Sequence, residues 1–370
     1  MWAELRKYLF SRYLNLLLVF VPGVFLMEYV LHAGAVWLFA ASALAIIPLA
    51  GVLGDATEEV AGRMGPVAGG LLSGTLGNAT ELIIALIAVR AGELEVVKAS
   101  ITGSILGNLL LVFGLSVLLG GIGREKQTFQ RTNAGVNTTM LFLAVCGLVM
   151  PAVYDLAQYG TLDHDDILVQ QISLWTAAVL IITYLASFIF SFRTHKHLFH
   201  AESHGHGTMS RKTAFVLMGV STLLIAVVSE VLVKQIEAAT QALGMTKFFV
   251  GMIVVAVIGN AAEHSAAVFA ARKDKMDLAL TIAVGSSVQI ALLVAPVLVF
   301  ASFLLGHPMS LVFNGFEIVA TILSVLIISE VSSDGETNWF EGVQLVALYV
   351  MLAIVFYFVP VAGGAKPAVP

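Results

Sequence analysis

The sequence predicts an all-α integral membrane protein of about eleven transmembrane helices: one extra N-terminal helix, then two inverted five-helix repeats. Three observations predict it. The 370 residues are 59% hydrophobic and only 12% charged, whereas soluble domains carry about 25% charge. Apolar stretches close to the ~20 residues that a spanning helix needs recur along the whole chain. Finally, a glutamate-bearing phrase, Gly77-Asn78-Ala79-Thr80-Glu81, returns as Gly259-Asn260-Ala261-Ala262-Glu263 in a second apolar stretch.

The spans read, in order, 13–31, 34–56, 67–90, 96–120, 134–153, 170–192, 213–238, 247–271, 277–305, 310–330 and 341–359. The first follows Arg6, Lys7 and Arg12 and superficially looks like a signal peptide. Its apolar stretch is too long and no clear cleavage site follows, so it reads as a retained helix. Spans two to four are rich in glycine and other small residues, which let helices approach closely in lipid. Cys146 has no CxxC companion and lies in an apolar run, where it is expected as a small core residue.

Lysine and arginine in the loops orient the chain. With the N-terminus cytosolic, the cytosolic segments hold 14 of the 19 basic residues and the opposite side holds 5, which leaves the C-terminus on the non-cytosolic side. One loop disagrees, 331–340, which is acidic through Asp334 and Glu336, but acids weigh little in this rule. The formal net charge of -5 offers no basic face for nucleic acid. Partners are therefore the lipid membrane and small ions, with oligomerisation left open.

Units follow as 1–33 (the N-terminal helix), 34–192 (first repeat), 193–212 (linker) and 213–370 (second repeat). The linker carries His195, His197, His200, His204 and His206. A His-rich tract can bind transition metals in a regulatory role; a solvated connector between two halves is the simpler reading.

Sliding the chain by 182 residues aligns 77–114 with 259–296 without a gap, with 12 identities in 38 positions. Asn78 falls on Asn260, Glu81 on Glu263, Arg90 on Arg272, and Gly103-Ser104 on Gly285-Ser286. Apolar composition alone does not match Asn, Glu, Arg and Ser. Glu81 lies in span three and Glu263 in span eight, and this odd offset inverts one copy relative to the other. Inverted repeats are a common plan of secondary transporters, with the site near the midplane where the halves meet.

An ionisable group deep in an apolar span marks a functional site by default. Two glutamates from related helices, each with an asparagine three residues earlier on the same helical face, suit a hard divalent cation that takes oxygen ligands. No Cys or His pair flanks them, against a soft-metal centre. His264 follows Glu263 but points ~100° away on a helix; packing, ligation and proton relay all remain open for it. Burial disfavours the charged form, so a glutamate here holds a proton once the cation leaves, and a divalent ion expels that proton. Proton and cation then compete for the same oxygens. The bland alternative is a pair of protonated glutamates that merely tie helices together.

Ser104 and Asn108 on span four, and Ser286, Ser287 and Gln289 on span nine, supply further oxygens or bond between helices. Asp55, Glu58 and Glu59 at the cytosolic end of span two, and Glu230 within span seven, suggest an entrance or proton path; Glu59 reads rather as a solvated helix-end charge. Glu317 and Glu330 receive no assignment. Gly120-Gly121-Ile122-Gly123 lacks the strand and Lys-Ser/Thr of a phosphate loop. No nucleophile–His–acid set appears, so the chain reads as no enzyme, with no cofactor.

At these residues the sequence resembles the calcium/cation–proton antiporters (the CAX family) of the cation/calcium exchanger superfamily. Residues 77–83 and 259–264 look like that family's two signature repeats. Residues 103–112, 285–292 and Gly54-Asp55-Ala56-Thr57-Glu58-Glu59 also match, Asp55 standing where the family more often has Glu. The resemblance covers nearly the whole chain. It implies proton-driven export or sequestration of calcium, the two glutamates as a shared site, and a first helix that slides as a gate. The His-rich linker departs from the acidic segment often found there, which sets calcium regulation through it in doubt. The short N-terminal stretch before the first span leans towards a prokaryotic plasma membrane, with a vacuolar one as the alternative. The rival readings are a sodium/calcium exchanger of the same architecture and, from another class, a cation channel.

Overall fold

The computed structural model of the chain describes residues 4, 8, 13–162, 166–194 and 209–359, and nearly all of them are helical. Each expected stretch holds a helix. The first half contains α1 (Leu14–Tyr29), α2 (Ala35–Ala61), α3 (Pro66–Leu76), α4 (Ala79–Arg90), α5 (Leu94–Gly121), α6 (Arg131–Tyr159) and α7 (Ile167–Ile189). The second contains α8 (Arg211–Leu243), α9 (Lys247–Arg272), α10 (Met276–Leu304), α11 (Gly315–Val331) and α12 (Trp339–Phe358). Among the described residues eight helices are long and apolar enough to cross a membrane, and α3 with α4 makes a ninth as a bent pair; α1 is shorter, as is α11 at 17 residues.

Polar residues fix the helix ends. Asn314 and Asn338 each form a reciprocal cap with a glutamate three residues on, Glu317 and Glu341, at the starts of α11 and α12. Thr246 caps α9 through the Phe249 amide at 3.0 Å. Gly244 closes α8 in the left-handed region at φ 67°, where a side chain would be strained.

Three expectations change. Helix α2 continues past residue 56 to Ala61, carrying Asp55, Glu58 and Glu59 inside it. This polar extension is tied by Glu59, which accepts from Arg63 one turn later. The third span is not one helix but two, bent by 48° at Gly77-Asn78. Cys146 is exposed on α6 instead of buried in the core. Apolar residues line the outer face of a membrane bundle as well as its interior, so an apolar run does not tell the two apart. Trp175 and Leu223, both exposed, sit on that outer face.

Small residues set the closest helix crossings. A Cβ on Gly103 of α5 would lie 2.0 Å from the Met252 carbonyl of α9, and one on Gly251 of α9 would lie 2.7 Å from the Val96 carbonyl of α5. Each glycine thus makes room for the other helix's backbone. Helices α2 and α8, the first of each half, pack along much of their length. Short antiparallel strands β1 (Gln127–Thr128) and β2 (Glu336–Thr337) join the loops after α5 and α11. There Lys126 meets Glu336 at 2.6 Å, and the carboxylate holds the ammonium above its ordinary range. The five linker histidines, His195 to His206, lie outside the described residues.

Candidate functional site

Helices α4, α5, α9 and α10 meet around the two repeated phrases. The bend between α3 and α4 leaves Asn78 just before α4 and Glu81 in its first turn, where the N-terminal backbone amides favour negative charge. Asn260 and Glu263 sit instead inside the continuous helix α9. The expectation that both Asn–Glu pairs share one face of a regular helix therefore holds for the second pair only. The break sets Asn78 apart from the regular part of α4.

Each glutamate lies against the opposite copy's glycine. A Cβ on Gly259 would stand 3.1 Å from Glu81 Cγ, and one on Gly77 would stand 3.6 Å from Glu263 Oε1. Glycine at these two positions lets the carboxylates reach across the junction of the halves.

A polar shell holds the pair. Ser286 donates to Glu263 Oε2. Asn78 Nδ2 donates to Gln289 Oε1 at 2.5 Å. Asn260 Nδ2 donates to Ser104 Oγ at 2.9 Å, and Asn108 Nδ2 reaches Asn260 Oδ1 at 3.4 Å. His264 Nε2 pairs with Asn108 Oδ1 at 3.1 Å, which ties one ring nitrogen into the helix packing. All four supporting residues, Ser104, Asn108, Ser286 and Gln289, are thus brought to the site; Ser287 instead bonds its own helix at Ala283.

Two oxygens stand out: Asn78 Oδ1 and Glu81 Oε2 are buried without a hydrogen-bond partner. Buried acceptors are nearly always paired, so an orphaned pair beside a second carboxylate fits oxygens awaiting a proton or a cation. Among the described residues no three His, Cys, Asp or Glu side chains gather into one cluster. The donor set is two carboxylates with amide and hydroxyl oxygens, the hard ligands that calcium prefers. A small cleft is lined by Glu81, Ser100, Ser104, Val255 and Ile290.

The entrance residues divide. Gly51 of α2 packs on Ala262 of α9, so Asp55 and Glu58 lie one and two turns beyond the level of the site. Asp55 accepts from the Tyr8 hydroxyl, and Glu58 is exposed. Glu230 is exposed on α8 and is not brought to the site. Glu317, unassigned from sequence, is a buried cap of α11 that accepts from Thr102 at 2.8 Å. Sequence reading missed Tyr184 of α7, whose hydroxyl donates to the Gly74 carbonyl at 3.0 Å. It lies outside the aligned copies 77–114 and 259–296 and belongs to no motif.

The pattern of the sodium/calcium exchanger protein family matches residues 34–193 and 213–358. A protein named Ca(2+)/H(+) antiporter from Aphanothece halophytica is 45% identical over 362 residues, covering 93% of this chain and 96% of that protein. One of the same name from Synechocystis sp. is 44% identical over 369 residues, covering 95% and 98%. The solved structure of native YfkE superposes with a TM-score of 0.82 at 37% identity, covering 94% of this chain and all of that one. A structure of the sodium-calcium exchanger NCX_Mj shares the fold alone, at 15% identity and a TM-score of 0.53.

Proposed function

Because the chain belongs to the sodium/calcium exchanger protein family, and within it to the calcium/cation–proton antiporters, we propose that it exchanges calcium for protons across a membrane at Glu81 and Glu263. The observation that carries this reading is the orphaned pair Asn78 Oδ1 and Glu81 Oε2 set beside Glu263 where the halves meet. A dehydrated calcium ion finds carboxylate and amide oxygens there and neutralises the repulsion between the two acids. When it leaves, protons take the carboxylates, because two buried like charges at close range do not both stay ionised. Ser286 orients Glu263, while Gln289 holds the Asn78 amino group so that its carbonyl oxygen faces the site.

The halves act as inverted repeats that expose this site to one side at a time. The reciprocal glycine–glutamate contacts support this, as do π-helical segments at Gly107–Val112 and Ile290–Val294, which the 182-residue offset nearly superposes. The basic loops favour a cytosolic N-terminus, with Asp55 and Glu58 lining the cytosolic approach. A prokaryotic plasma membrane is the setting we favour. Everted membrane vesicles test the function: calcium should collapse an imposed pH gradient without sodium. Uptake that strictly requires a sodium gradient, or flux indifferent to any counter-ion, would overturn it.

A further inference from the structure

The two copies of the repeated phrase differ in backbone course: the helix is broken at Gly77-Asn78 but continuous at Gly259-Asn260. A break frees backbone carbonyls that then need donors. Among the described residues no backbone bond runs from the Asn78 amide to the Gly74 carbonyl, four residues earlier. That carbonyl takes the Tyr184 hydroxyl instead, at 3.0 Å. Tyr184 is buried on α7, the last helix of the first half, and its ring stacks edge-on against Phe188 at 5.0 Å.

The last helix of the second half, α12, carries Tyr349. It too is buried, 8% exposed, but its hydroxyl has no hydrogen-bond partner. It lies beside Met252 and Ile253 of α9 and Leu106 of α5. Met252 and Ile253 belong to a π-helical stretch, Val250–Val255, that precedes Gly259-Asn260 by one to two turns. A π stretch already strains the ladder of backbone bonds and is a natural place for a helix to bend. A buried hydroxyl left unpaired is costly unless another state of the protein satisfies it.

We propose that Tyr184 and Tyr349 are matched positioning residues for exchange. Each donates its hydroxyl to a carbonyl freed when the neighbouring signature helix bends, Tyr184 in one access state and Tyr349 in the other. In the state seen here α3–α4 is bent and Tyr184 is engaged. In the opposite state α3–α4 straightens, Gly74 recovers its backbone donor, and α9 bends so that a carbonyl of Val250–Val255 reaches Tyr349. The bend moves Asn78 and Glu81, or Asn260 and Glu263, relative to the other half. The two hydroxyls therefore set the balance of access without touching the ion. The proposal rests on the exchange reading above.

The test is Tyr184→Phe, Tyr349→Phe and the double variant, with calcium KM measured on both faces in everted and right-side-out vesicles. Phenylalanine keeps the ring and the packing and removes only the donor. Loss of one buried hydrogen bond should shift the access equilibrium about fivefold. The ratio of the two KM values should therefore move in opposite directions in the single variants and return close to wild type in the double. A purely structural role would lower the rate without that reciprocity. Shifts in the same direction, an additive loss in the double variant, unchanged ratios, or a Phe variant absent from the membrane would each overturn the proposal. Exchange itself, and its dependence on Glu81 and Glu263, would stand in every one of those cases.

Discussion

Replacing Gly259 by alanine probes the closest approach in the site. The added Cβ would meet Glu81 Cγ at 3.1 Å, Oε1 at 3.3 Å and Cδ at 3.5 Å, where unstrained carbon contacts sit at about 3.5–4.0 Å. Glu81 must then retreat by a few tenths of an ångström. Turning a side chain ~30° off its rotamer costs of order 0.5–1.5 kcal/mol. About 1 kcal/mol lost from the ion-competent pose corresponds to about fivefold weaker calcium binding. Folding should not suffer, because alanine is favoured over glycine within a helix by about 0.8–1 kcal/mol and the atoms met belong to a flexible side chain. Gly285 is the control, since a Cβ there meets nothing within 4 Å. Calcium KM in everted vesicles should rise about fivefold for G259A and stay level for G285A, with both proteins present at wild-type amounts. A wild-type KM in G259A, or an equal loss in G285A, would refute the placement of Glu81 against Gly259.

Glu81→Gln and Glu263→Gln should each abolish calcium-driven proton movement while leaving the protein in the membrane; normal transport by either would end the shared-carboxylate mechanism. Protons and calcium compete for the same oxygens, so acidifying the calcium-loading face from about pH 8 to about pH 6 should raise calcium KM with little change in maximal rate; a KM flat with pH would contradict competition. Gly103→Ala places a Cβ 2.0 Å from the Met252 carbonyl, a backbone atom that has no freedom to move aside. The expected result is protein lost from the membrane through overpacking of about 1–3 kcal/mol or more, read as reduced folded yield by size-exclusion profile; a normal profile would show that α5 and α9 do not cross there.

The chain alone determined that this is a helical membrane protein, that it writes one phrase twice, and that Glu81 and Glu263 with their asparagines are the candidates for a shared site. These follow from apolar length, and from carboxylates too costly in lipid to persist without use. Ser104, Asn108, Ser286 and Gln289 were legible as polar residues in spans four and nine, which hold the second part of the repeat; whether they add oxygens or bond between helices was not. What the tertiary structure decided was of another kind. The break at Gly77-Asn78 is invisible in a phrase whose copy at Gly259-Asn260 stays helical, since which copy bends depends on the packing of α7 and α10 against it. Cys146 turned outwards because lipid and protein interior look alike to an apolar sequence. Tyr184 and Tyr349 carry no motif; only the positions of α7 and α12 put one hydroxyl on the Gly74 carbonyl and leave the other buried without a partner.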